Sequence, residues 1–337
     1  MHRLVLCTMT QSETFHQAVT RLRRVPPADQ LQRLCDAVAG GGHVARVRRL
    51  PGGLQCGMHA VDLVATNGER LHLVVRRYTP QQAEGDPGVC RREWQTLTLL
   101  AHGGAPAPRP VFLDGDGAIF GTPTLVMTRL AGHAFVSFPA RMDPWLEQLA
   151  GALAAIHGTD TRWASAAHLP HFTGERTAGR PSGGEETDRR VAALPHGAEI
   201  LRVLRDRRPP PLPTSPVLVH GDFFTGNTVW HRTRLSGIVD WGEAKLGPRE
   251  IDLSSARLDL ALLAGPEAAD LFLARYAELS GHSASDMPRW DLTAVWGGAL
   301  LLDLWWEALC DVGVTISRAE LGCRLDAFAL RALAHLS

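Results

Sequence analysis

Lysine is all but missing from this chain: Lys245 is the single one among 35 basic residues. Chemistry that needs a cation elsewhere must therefore draw on arginine or histidine. Net charge is missing as well, because 35 acidic residues bring the formal balance to +0. That balance gives no reason to expect nucleic acid or an anionic membrane as partner. The six cysteines (Cys7, Cys35, Cys56, Cys90, Cys310 and Cys323) never approach C-x-x-C spacing, so neither a zinc site nor a disulfide framework is indicated. They read as buried thiols in a reducing compartment. Long apolar runs are absent too. The opening MHRLVLCTMTQSETF has no uninterrupted apolar core or small-residue cleavage site, and the most apolar later stretch, 294–306, is short and carries Asp303. A cytoplasmic protein with no membrane partner is expected, and no internal repeat is found.

With 337 residues and 45% apolar content, the chain can bury a large core and should divide into two lobes. After a polar N-terminal stretch, 29–39 has helical apolar spacing and ends at Gly40-Gly41-Gly42. Strands are expected at 43–50, 58–66 and 69–78, the last two joined by the tight turn Asn67-Gly68. A helix at 88–102 and short strands at 111–113 and 124–129 complete a five-stranded antiparallel unit. Leu130-Ala131-Gly132 reads as a hinge. Beyond it, Asp143 is expected as N-cap and Pro144 as first residue of an apolar helix running to His157. Residues 172–190 and 209–216 read as surface loops or disordered segments. Short strands follow between 217 and 240, then helices to the end.

The strongest chemical signal is VLVHGDFFTGNTVW at 217–230, followed by LSGIVDWGEA at 235–244. It sets His220, Asp222, Asn227 and Asp240 between apolar strands, where unpaired carboxylates are costly. Phosphoryl transfer gives each a use: one carboxylate accepts the proton of an attacking hydroxyl, while an amide oxygen and a second carboxylate hold magnesium. Asp222 and Asn227 have the spacing of the kinase loop H-R-D-x-x-x-x-N, and Asp240-Trp241-Gly242 stands where D-F-G would.

HGDFFTGN together with IVDWGEAKLGPREIDLSSA resembles the aminoglycoside phosphotransferase and choline kinase superfamily. The resemblance spans most of the chain. It implies an α+β, bilobal, protein-kinase-like fold, with a nucleotide-binding lobe over 1–130 and a mainly helical lobe over 131–337. It implies Asp222 as catalytic base supported by His220, Asn227 and Asp240 as Mg2+ ligands, ATP or GTP as donor, and Asp252 as a brace for the catalytic loop. Gly52, Gly53 and Gly57 would let backbone N–H groups approach phosphate, and Val74, Thr128 and Leu130 would contribute to the nucleotide site. The family's third-strand lysine is replaced. Period-2 alternation puts Val74 and Arg76 on one face, which selects Arg76 over Arg77 for this position, with Glu93 as its helix partner. A guanidinium keeps the charge but needs more room than an ammonium.

The acceptor is open. A polycationic aminoglycoside would suit an acidic pocket drawn from Asp252, Asp259, Asp286, Asp291, Asp303 and Glu307, and a macrolide-type antibiotic would suit the Trp- and Leu-rich stretch near 290–310. Small metabolites such as choline, homoserine or a sugar remain, as does a pseudokinase that binds nucleotide without turnover. A protein kinase is disfavoured, because no segment ending in A-P-E separates Asp240 from Glu250.

Overall fold

Residues 9–51, 56–134, 137–162, 168–172, 184–206, 215–284, 286–311 and 314–336 are described by a computed structural model. Helices α1 (Met9–Leu22) and α2 (Ala28–Ala39) precede strands β1 (His43–Arg49), β2 (Cys56–Val64) and β3 (Arg70–Tyr78). A short helix α3 (Pro80–Gly85) leads to α4 (Val89–Gly103), then β4 (Pro110–Asp114) and β5 (Thr124–Thr128). The five strands pair in the order β1-β2-β3-β5-β4, antiparallel throughout. Alternation sorts their side chains onto two faces. Val61, Leu63, Leu73, Val75 and Val126 meet Leu31, Leu34 and Cys35 of α2 on the outer face. Val74, Tyr78, Leu125 and Met127 turn inward and join α4 in a core that continues through the helical half of the molecule.

That half contains β6 (His133–Ala134), α5 (Asp143–His157), α6 (Gly184–Ala192), α7 (Gly197–Asp206) and strands β7 (Val217–Val219), β8 (Thr228–His231), β9 (Arg234–Ile238) and β10 (Lys245–Gly247). It closes with α8 (Glu250–Ala264), α9 (Pro266–Ser280), α10 (Met287–Asp311) and α11 (Arg318–Ala334). The whole is the expected α+β kinase-like arrangement of a small antiparallel sheet followed by a helical part. No helix among the described residues is long and apolar enough to cross a membrane.

Several expectations need correction. The N-terminal polar stretch contains α1, and residues 184–190, read as loop, belong to α6. There Glu186 pairs with Arg190 one turn away at 3.0 Å, while Thr187 and Val191 are buried. A helix can be polar by count and still bury one stripe. Asp143 is the first residue of α5 rather than its cap. Its carboxylate is engaged by Arg275 at 3.0 Å, so it is not offered to the helix N–H groups. Cys35, Cys56 and Cys90 are buried as expected, but Cys310 and Cys323 are exposed because they fall on outward faces of their helices. Cys7 lies outside the described residues.

Gly57 has a structural demand of its own. A Cβ built there would lie 2.2 Å from the Leu22 carbonyl oxygen at the end of α1, and Arg77 donates to the same oxygen and to that of Arg24, both at 2.6 Å. The absent side chain lets α1 rest on β2. Gly57→Ala forces backbone apart and should destabilise the fold by about 1–3 kcal/mol, measured by denaturant unfolding. Wild-type stability in this variant would mean that α1 does not pack there.

Candidate active site

The loop that follows β7 is fastened from beneath by α8. Asp252 is fully buried, and its two oxygens accept the N–H groups of His220 at 2.7 Å and Gly221 at 2.8 Å. His157, at the end of α5, adds a third contact to the Asp252 carboxylate at 3.2 Å and meets the Tyr276 hydroxyl at 2.7 Å on its other nitrogen. Burial alone would raise the Asp252 pKa, but the His157 contact overrides it and holds the carboxyl below the ordinary range. Gly221 has φ +83, and a Cβ would lie 2.4 Å from the Glu243 carbonyl oxygen, so only glycine fits this turn. His220 Nε2–H donates to the Val239 carbonyl at 2.9 Å, leaving Nδ1 to accept the Asp222 N–H at 3.3 Å. His220 therefore supports the loop. Asp259 of α8 holds its far end by accepting the Thr225 N–H at 2.9 Å.

Asp222 projects from this braced loop. Asn227, in the turn Thr225–Asn227, donates through Nδ2 to the Asp222 carbonyl at 2.9 Å and approaches its carboxylate at 3.5 Å. Burial pushes the Asp222 carboxyl up to about 6, with a further upward contribution from Asp240 and a downward one from His220. A carboxylate tuned toward neutrality suits proton transfer.

The second cluster joins strand, helix and turn. Arg76 of β3 donates to Glu93 of α4 at 3.2 Å and to Asp240 at 2.7 Å. Asp240 takes the left-handed conformation, φ 69 and ψ 63, which aspartate tolerates better than most side chains. The turn sends Trp241 back into the core, where its backbone N–H reaches Glu93 at 3.4 Å and its ring lies 4.5 Å from His220. Desolvation by the surrounding protein opposes charge on Asp240, but Arg76 prevails and lowers its pKa. Burial likewise opposes the charge on Arg76, and Asp240 and Glu93 more than restore it. Arg92, next to Glu93, donates to the Gly242 carbonyl at 2.7 Å, so α4 grips the D-W-G turn twice.

The remaining expected site residues are placed as follows. Gly52 and Gly53 lie outside the described residues. Gly57 sits at the start of β2 under α1. Val74 shares the inner face with Arg76, while Arg77 turns to α1. Thr128 stands opposite Leu73, which puts its side chain on the outer side, where Oγ1 accepts the Arg109 N–H at 2.9 Å. Leu130 lies against Gly237. The acidic pocket does not assemble from four of its candidates. Asp252 and Asp259 face the loop that follows β7, Asp291 is bound to Arg257 at 3.0 Å, and Asp303 is held by Arg190 at 2.8 Å and by Arg318. Sequence reasoning missed Tyr78, Arg92, His157 and Tyr276. Tyr78 alone carried a signal, lying two positions beyond Arg76 on the same strand face.

The profile of the phosphotransferase enzyme family matches residues 59–292. No curated protein sequence matches the chain. Among solved structures, it resembles a candidate aminoglycoside phosphotransferase of Ralstonia eutropha JMP134, at 19% identity over 92% of this chain and 98% of that one, with a TM-score of 0.62. It also resembles a macrolide 2'-phosphotransferase of Brachybacterium faecium, at 20% identity over 88% and 98% and a TM-score of 0.56. A spectinomycin phosphotransferase solved with ADP and spectinomycin is 15% identical over 93% and 99%, with a TM-score of 0.58. At these identities the structural likeness speaks to the fold.

Proposed function

The chain belongs to the phosphotransferase enzyme family, and on that premise we propose that it transfers the γ-phosphoryl group of ATP or GTP to a hydroxyl of a small molecule. The observation that carries this reading is the pairing of a half-buried, proton-tuned Asp222 with a neighbouring Asp240 that Arg76 ties to Glu93. Asp222 accepts the proton of the acceptor hydroxyl as the new O–P bond forms and the bond from the γ-phosphorus to the β,γ-bridging oxygen breaks, releasing ADP or GDP. Arg76 has donors to spare for phosphate oxygens, since Nη1 and Nη2 each carry two N–H groups and spend one, on Glu93 and on Asp240. Residues 1–130, with Gly52, Gly53, Gly57, Val74, Thr128 and Leu130, form the nucleotide lobe in this reading. Residues 131–337 bind the acceptor.

Asn227 and Asp240 fit a magnesium ion. Asn227 spends Nδ2 on the loop, which leaves Oδ1 for a cation, and Asp240 spends Oδ1 on Arg76, which leaves Oδ2 on a side chain that is 45% exposed. Both are hard oxygen donors, and phosphate and water oxygens would complete the shell. Bound there, the ion would neutralise charge on the transferring phosphate. Among acceptors, an antibiotic alcohol of the aminoglycoside or macrolide kind ranks first by the kinship of the similar structures, and a small metabolite ranks second. A pseudokinase is disfavoured because a binding module has no use for a base tuned in this way.

The test is a thermal-shift titration with ATP and GTP, with and without magnesium, on wild type and Asp240→Ala, followed by a panel of aminoglycosides, macrolides and amino alcohols. A magnesium-dependent shift that weakens in the variant, with a further shift from one acceptor class, is the expected result. A wild-type protein indifferent to every nucleotide would overturn the proposal.

A further inference from the structure

The replacement of lysine by arginine at position 76 raises a steric and angular problem that an ammonium does not have. An ammonium donates in any direction, whereas a guanidinium is a flat fork whose contacts depend on its plane. The Arg76 fork has to serve Glu93 with one nitrogen and Asp240 with another, and it is 6% exposed. Something must fix both the carboxylate that receives it and the surface on which it lies.

We propose that Tyr78 is the positioning residue that makes arginine workable here, its hydroxyl fixing Glu93 and its ring supporting the Arg76 guanidinium. The inference rests on the phosphotransferase reading above for its consequence, but on local geometry for its cause. Arg76 and Tyr78 are two apart on β3 and so share the inner face. The Tyr78 hydroxyl donates to Glu93 Oε2, while Glu93 Oε1 receives Arg76 and the Trp241 N–H. These Glu93 contacts come from β3 and from the D-W-G turn, so both carboxylate oxygens are held. The Arg76 Cζ lies 5.3 Å from the centroid of the Tyr78 ring, within the range of a cation–π contact.

Tyr78 and Glu93 are 0% and 1% exposed. The main chain of Tyr78 is held independently, its N–H by the Pro123 carbonyl and its carbonyl by the Thr122 hydroxyl. The hydroxyl is therefore not needed to place the strand. Tyr276, the other tyrosine of the sequence, does the corresponding work for Asp252 through His157. In both networks a phenol orders a carboxylate.

The experiment is a cycle of four full-length proteins: wild type, Tyr78→Phe, Arg76→Lys and the double variant. Phenylalanine keeps the ring and its volume, so the fold survives. Nucleotide Kd by calorimetry and the split between KM and kcat are measured for each, together with denaturant unfolding without nucleotide. In the arginine protein, Tyr78→Phe should weaken nucleotide binding about tenfold and raise KM more than it lowers kcat. In the lysine protein the same change should cost less than about twofold. Equal losses in both backgrounds, or none in either, overturn the proposal, because a tyrosine that only fills the core does not sense the residue at 76. If wild type binds no nucleotide, the phosphotransferase reading fails and the unfolding cycle still decides about Tyr78. Greater destabilisation by Tyr78→Phe beside arginine than beside lysine supports it, and equal destabilisation refutes it.

Discussion

Asp222→Asn should lower kcat by about 10²–10⁴-fold while leaving nucleotide affinity within about twofold. Asparagine keeps the size of the side chain and its place beside Asn227, but it cannot take a proton from a hydroxyl. Nucleotide affinity is spared because the groups proposed to face the phosphates, Arg76 and Asp240, belong to the other cluster. The same carboxyl predicts a pH profile. Burial raises it to about 6, and only the ionised form is a base, so the rate should be flat above that pH and fall about tenfold per unit below it. Steady-state phosphate transfer measured from pH 5 to pH 8, alongside calorimetric nucleotide binding, checks both points. A variant as active as wild type, or a wild-type rate with no acid limb, would remove Asp222 from the role of base.

Asp252→Ala should be the most damaging single change to the fold near the site. It strips the acceptor from two backbone N–H groups and from His157 in a fully buried setting. Removing one partner of a buried charged network costs roughly 3–5 kcal/mol, and the catalytic loop loses its anchor together with that stability. Loss of turnover should therefore accompany a large drop in the unfolding midpoint, unlike Asp222→Asn. The pH windows of the two residues also separate. The folded pKa of Asp252 is depressed, so its contribution is present above the unfolded carboxylate value and is lost only as pH falls through the lower folded one. Between pH 5 and pH 6 the enzyme should lose rate reversibly while remaining folded. Denaturation that tracks the loss of rate in that interval would contradict this assignment.

The catalytic loop, the D-W-G turn and the five strands could be read in the sequence because each is a local pattern: a fixed spacing, an alternation, a turn residue. The braces could not. Arg76 meets Asp240 across 164 positions and Arg92 meets Gly242 across 150, and nothing in the chain near Arg92 announces the contact. Gly57 shows how one residue can carry a demand the sequence hides: a glycine near a strand turn suggests phosphate, yet α1 already requires it. The helix at 184–192 was hidden by composition, since its buried stripe is only Gly184, Thr187 and Val191 amid charge. Two of the acidic candidates for an acceptor pocket, Asp291 and Asp303, are spent for a related reason. A carboxylate in a helix is as readily spent on a neighbouring arginine as left free for a ligand.

The arginine at position 76 also alters how this protein answers chemical probes. Acylating nucleotide analogues report on kinases by transferring a label to the lysine beside the phosphates, and a guanidinium that stays protonated at neutral pH does not accept it. The one lysine in the sequence, Lys245, is placed elsewhere, paired with Glu243 at 3.8 Å and packed against Gly221 of the catalytic loop. Amine-directed profiling should therefore pass over the surroundings of Arg76. Any label found on a lysine reports the catalytic-loop side of the site, at a single position that one tryptic peptide identifies.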